Sequence, residues 1–130
     1  CRPTTSDLGL RTSITTLRRP DVTAECGEFE RDTYENRTPR LVVEVLSPST
    51  SSIDRFRKLD EYRRHPTLAY ILLIETRFAS AVLYRRQNDG WNAATYERFE
   101  DVLALPEIAA SLALSDVYAG IAFAVRRSLT

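Results

Sequence analysis

Two carboxylates and one lysine hold the chemistry that this sequence suggests. Glu44 lies in LVVEVL, Leu41 to Leu46, where every other residue is large and apolar. Such a run reads as a strand buried on both faces, ended by the turn chemistry of Ser47-Pro48. A lone carboxylate there must find an arginine, a hydrogen-bond network or a metal ion, or else take up a proton. Asp21 follows Pro20 at the head of a second strand-like run, DVTAEC. Lys58 is the single lysine; every other basic residue is an arginine. It belongs to a series, Thr50, Asp54, Lys58 and Tyr62, that recurs every four residues and so falls in one drifting stripe of a helix.

If the Asp21 and Glu44 strands pair, two acids share one end of a sheet and Lys58 reaches across from the helix. Two adjacent carboxylates repel unless a cation intervenes. Oxygen ligands of this kind suit magnesium or manganese. Such an ion lowers the pKa of water and neutralises charge developing on a phosphodiester. Lys58 would then orient the attacking water or stabilise the pentavalent phosphorus. Each residue also has an ordinary reading. Asp54 and Lys58 suit an exposed i,i+4 pair worth only ~0.3–0.5 kcal/mol. Asp21 suits a turn, Arg40 or Arg57 could pair with Glu44, and Tyr62 could pack on the helix flank. Trp91 and Tyr96 suit hairpin packing better than base stacking.

The positioning elements follow from pattern. Residues 1–11 are polar and irregular, and Thr12 to Leu17 reads as a β-branched strand. Asp21 to Cys26 alternates Val22, Ala24 and Cys26 against Thr23 and Glu25, a half-buried strand. Gly27 to Arg40 is a long polar connection. Ser49 to Ser52 offers helix N-caps, and Ile53 to His65 reads as a helix with Ile53, Phe56 and Leu59 as its apolar face, stopped by Pro66. AYILLIE, Ala69 to Glu75, is a second interior strand. After a turn at Thr76 to Phe78, Ala79 to Arg85 and Trp91 to Phe99 form strands joined by Asn88-Asp89-Gly90. Ser115-Asp116 caps a final helix through Val125. The pattern predicts one mixed sheet, with the Glu44 and Ala69 strands parallel across a helical crossover.

At 130 residues, 43% hydrophobic and 28% charged, the chain reads as one globular domain, residues 1–130. Eighteen basic and eighteen acidic residues cancel, which argues against tight non-specific nucleic-acid binding. Cys1 and Cys26 do not make a disulfide framework or a zinc site; Cys26 reads as a small buried hydrophobe. His65 is the only histidine. With no signal-peptide pattern and no long apolar stretch, a reduced cytoplasmic location and no membrane association are expected.

RRPDV, then PRLVVEVLSPST, then D-x3-K-x3-Y, then AYILLIE resembles the Uma-two family of restriction-endonuclease-like proteins, within the PD-(D/E)XK nuclease superfamily. The resemblance runs from Arg18 to Tyr84 and more weakly beyond. It implies an α/β, restriction-endonuclease-like mixed β-sheet flanked by helices. Asp21 and Glu44 match the metal-binding acids, with the Val45 backbone carbonyl as a further ligand. Leu46 stands where many of the superfamily carry lysine, and Lys58 fits a lysine moved to the following helix. Asp54 and Tyr62 match supporting positions. The implied function is a magnesium- or manganese-dependent endonuclease acting on DNA; a symmetric duplex cut would favour a homodimer. The alternative is a catalytically inactive domain of this fold serving as a nucleic-acid-binding or protein-interaction module. Members carry an N-terminal helix that this chain lacks, so an N-terminally incomplete fragment is expected.

Overall fold

The computed structural model describes residues 1–5, 9–12, 16–26, 35–47 and 52–121. In chain order the elements are β1 (Arg2–Thr5), β2 (Gly9–Arg11), β3 (Leu17–Arg18), β4 (Val22–Glu25), β5 (Glu35–Asn36), β6 (Pro39–Leu46) and α1 (Ser52–Arg63). There follow β7 (Tyr70–Glu75), β8 (Ala81–Gln87), β9 (Gly90–Tyr96), β10 (Val102–Leu105), a 3₁₀ turn (Pro106–Ile108), β11 (Ala110–Ala113) and α2 (Leu114–Val117). A six-stranded mixed sheet runs β1-β4-β6-β7-β8-β9, with two small sheets, β10-β11 and β3-β2-β5, beside it.

β6 is an interior strand of this sheet, and its sequence explains its place. It pairs antiparallel with β4 and parallel with β7. The parallel pair needs a crossover, and α1 supplies it. The two-residue period of a strand divides the side chains between two cores. Val42 packs with Leu59, Tyr62, Leu68 and Ile71 on the α1 face. Leu41 and Val43 join Leu72, Leu83, Leu103 and Leu105 on the other. Burial on both faces holds through Val43 and ends at Val45, which is 45% exposed. Glu44 follows Val42 on the period, which places it on the α1 face at the rim of that core.

Helix α1 departs from the expected orientation. Ile53 and Phe56 are 71% and 72% exposed, whereas Leu59 and Tyr62 are buried. The inward stripe is Arg55, Lys58, Leu59 and Tyr62, an i, i+3, i+4, i+7 series. A polar cleft, rather than apolar core, receives the first turns of the helix, so hydrophobicity alone points to the wrong face. At its C-terminus the Arg63 carbonyl accepts from Trp91 Nε1 (3.2 Å), and the His65 carbonyl from Arg86 Nη2 (2.6 Å). Arg86 stacks on the Trp91 ring at 4.4 Å. Both residues therefore close the helix end, in keeping with a packing role for Trp91.

Other expectations are corrected near the chain ends. Residues 1–11 contribute β1 and β2 instead of irregular chain. Thr12–Leu17 is not one strand: the Thr12 amide bonds the Thr16 carbonyl (3.0 Å) between β2 and β3, and residues 13–15 lie outside the described residues. β4 is not half-buried, because Thr23 and Glu25 are covered as well as Ala24. The Glu25 carboxylate accepts from the Thr38 amide and hydroxyl, which meets the need of a buried acid. The hairpin β10–β11 was not legible. The last helix is a single turn, Leu114–Val117, with Ala113 at its N-cap instead of Ser115-Asp116; it has ended by Tyr118, and Val125 and the caps at 49–51 lie outside the described residues.

The cysteines are corrected too. β1 and β4 pair antiparallel with Arg2 opposite Glu25, so Cys1 falls opposite Cys26. Their Cα atoms are 4.1 Å apart and they form a disulfide. Among the described residues, no helix is long and apolar enough to cross a membrane.

Candidate functional site

The register of β4 against β6 builds the site. Val22 lies opposite Val43, so one step further Asp21 comes opposite Glu44. Pro20 is buried and anchors the turn from which Asp21 projects. The Val45 amide donates to Asp21 Oδ2 at 2.7 Å. In an antiparallel pair a residue turns its amide and carbonyl to the same neighbour, so the Val45 carbonyl is on the Asp21 side of β6. Asp21 thus continues the sheet ahead of the first β4 residue, Val22, with its carboxylate in place of a backbone acceptor.

Among the described residues Glu44 has no arginine partner. Arg40 bonds the Thr67 carbonyl and pairs with Glu107 (3.5 Å) instead. The partner of Glu44 is Tyr62, whose hydroxyl donates to Glu44 Oε1 at 2.6 Å. Tyr62 is 1% exposed, so its ring is core and its hydroxyl is the polar handle. Burial raises the Glu44 pKa, and the Asp21 carboxylate, within hydrogen-bond reach, raises it further; the Tyr62 hydroxyl and the Lys58 charge oppose both. Burial, and next the negative charge of Glu44, raise the Tyr62 phenol well above its ordinary value. Two acids therefore meet at the C-terminal end of an interior strand, and burial disfavours the ionised form of Glu44.

These groups line a cleft of about 420 Å³, together with Arg19, Ser47, Arg55, Lys58 and Leu59. Of the residues expected from sequence, the structure brings together Asp21, Glu44, Val45, Lys58 and Tyr62. Asp54 is not among those lining the cleft; it flanks Lys58, with Oδ2 at 3.8 Å from Nζ. Thr50 lies outside the described residues. Arg19 and Arg55 were missed. The signal for Arg55 was present, because it precedes Lys58 by three residues and Tyr62 by seven on the same helix. Helix α1 is set by a third contact, between Arg18 and Glu61: Arg18 Nε and Nη2 donate to Glu61 Oε2 and Oε1 at 2.6 and 2.9 Å.

The donor set suits a hard divalent cation. Asp21 and Glu44 offer carboxylate oxygens within reach of each other, and Val45 offers a carbonyl. Among the described residues no group of three or more His, Cys, Asp or Glu gathers anywhere. Two carboxylates with water and phosphate completing the shell is how magnesium is commonly held. Repulsion between two neighbouring carboxylates is what such an ion would relieve.

Residues 1–116 match the model of a family described as "Putative restriction endonuclease", Uma2. The chain is 39% identical over 106 residues to the uncharacterized protein slr1290 of Synechocystis sp. (strain PCC 6803), covering 80% of this chain and 55% of that relative. The chain thus spans about half the length of the relative it matches. It is also similar in fold to a crystal structure from Anabaena variabilis ATCC 29413, described as "a putative nuclease belonging to DUF820". The TM-score is 0.71 at 17% identity, over 91% of this chain and 68% of that one.

Proposed function

The chain belongs to the Uma2 family of nuclease-like proteins, and from that premise we propose that it is a divalent-metal-dependent endonuclease hydrolysing phosphodiester bonds in DNA. The observation that carries the reading is the meeting of Asp21 and Glu44 at the cleft, with the positive charge of Lys58 acting on Glu44. Asp21, Glu44 and the Val45 carbonyl would hold magnesium or manganese. That ion supplies Lewis-acid stabilisation of charge on the phosphate and a lowered pKa for water.

The protein's own groups do the rest. The Val45 amide fixes one oxygen of Asp21, and the Tyr62 hydroxyl fixes one oxygen of Glu44. Both carboxylates are thereby oriented before substrate arrives, and that preorganisation is where rate enhancement arises. Lys58, weakly tethered by Asp54, is free to turn its ammonium toward the attacking water or the charge that builds on the phosphate. Cleavage of both strands of a duplex would engage two copies of the chain. A cytoplasmic location fits such a substrate, although disulfides are rare in reducing compartments.

The test is cleavage of DNA and RNA, single- and double-stranded, with and without manganese. Asp21→Asn and Glu44→Gln should remove both cleavage and site-specific metal binding by calorimetry. Lys58→Ala should remove cleavage, by at least about 100-fold on the scale of one lost transition-state contact, and leave metal binding intact. Undiminished cleavage in all three variants ends this assignment. Tight, metal-independent binding without any cleavage would make the domain a nucleic-acid-binding module instead.

A further inference from the structure

We propose that Arg55 is the phosphate anchor of this cleft, holding a backbone phosphate of the nucleic acid beside the one attacked. The inference rests on the reading of the cleft as a phosphodiester site and adds a residue that neither the sequence motifs nor the acids identify. Arg55 lies in the first turn of α1 and lines the cleft with Asp21, Glu44 and Lys58. Its Nη2 donates to the Ser47 carbonyl at 2.8 Å. Ser47 directly follows β6, three residues past Glu44, so the guanidinium is tethered to the strand that carries the acid. Its Nε is buried and, among the described residues, has no hydrogen-bond partner.

Among the described residues Arg63 also has a buried Nε without a partner, but Arg63 does not line the cleft. Arg18, Arg40, Arg64, Arg77 and Arg98 each pair with an acid. Arg86 serves backbone carbonyls, and Arg40 bonds the Thr67 carbonyl as well as its acid. Arg55 instead neutralises no carboxylate among the described residues and keeps a donor unused in a closed place. An unused buried donor is unfavourable to the fold. The planar fork of a guanidinium matches two phosphate oxygens at once. The cleft then divides by charge. Asp21 and Glu44 form its anionic side, suited to a metal ion, and Arg55 with Lys58 forms its cationic side, suited to the strand's phosphates. Tethering through Ser47 keeps the two sides at a fixed separation, which is what registers a phosphodiester against its catalyst.

The experiment is equilibrium binding of a short labelled DNA duplex in calcium, which supports binding but slows turnover, over a series of salt concentrations. Arg55→Gln retains a side-chain donor for the Ser47 carbonyl but loses the charge. It should weaken binding about tenfold and reduce the slope of log affinity against log salt by about one, the signature of one lost phosphate contact. Arg55→Lys should keep the slope and recover part of the affinity, since it keeps the charge without the fork. Thermal unfolding of both variants and calcium binding should match the wild type, which a merely structural Arg55 would not satisfy together with the slope change. An unchanged slope and affinity for Arg55→Gln overturns the anchor. If Glu44→Gln abolishes cleavage at the same time, the nuclease reading stands without it. A wild-type protein that binds no duplex and cleaves none overturns both.

Discussion

Glu44 is the residue at which fold and function oppose each other. Its place on the α1 face of β6 follows from the two-residue period, and that face is core at Val42. The carboxylate is buried enough for its pKa to rise, and Asp21 raises it further. The folded state therefore binds this proton more tightly than the unfolded chain. Stability is greatest while Glu44 is protonated and falls as pH rises from the ordinary carboxylate range through the raised value. In metal-free buffer, Glu44→Gln should raise the melting temperature, and the gain should be larger at mildly alkaline pH than at mildly acidic pH. The amide can still accept from Tyr62, so the comparison isolates the charge. Adding magnesium or manganese should narrow the gap by stabilising the wild type alone. A variant that melts below the wild type at every pH would show that the ionised carboxylate helps the fold.

At the scale of the element, α1 joins one buried half-turn to one reactive stripe. Leu59 and Tyr62 fill the core over Val42 and Ile71, while Arg55 and Lys58, on the same side of the helix, face the cleft. Ile53 and Phe56 point away. Leu59→Ala should cost about 2–4 kcal/mol by denaturant unfolding, whereas Phe56→Ala should change stability by no more than about 0.5 kcal/mol. The expectation that Ile53, Phe56 and Leu59 form the inner face predicts instead that Phe56→Ala costs at least as much as Leu59→Ala, so one pair of variants decides the helix's rotation. The Arg18–Glu61 pair and the caps from Trp91 and Arg86 hold that rotation. These contacts come from β3, β8 and β9, remote in sequence, so no local pattern announces them.

At the scale of the molecule, a mixed sheet is closed at one edge by a covalent bond. Cys1–Cys26 ties β1 to β4 and closes a loop with a sequence separation of 25 residues, which corresponds to about 3 kcal/mol of stability on loop-entropy grounds. Reduction, or Cys26→Ser, should lower the melting temperature accordingly while leaving duplex binding at low temperature unchanged, because the cleft is lined by other residues. Loss of binding on reduction would mean that the edge strand supports Asp21. The sequence by itself determined β6, β7 and their parallel crossover, since continuous apolar runs flanking a capped helix admit few arrangements. It also determined which acids and which lysine to watch, because a charge inside LVVEVL needs a reason wherever that strand is placed. Only the tertiary structure decided that Asp21 meets Glu44, through the β4–β6 register, and that the partner of Glu44 is a phenol. It also turned α1 so that Arg55 joins the cleft and Phe56 leaves the core. Register, helix rotation and disulfide pairing depend on contacts between distant segments, and the spacing of residues along one segment carries no trace of them.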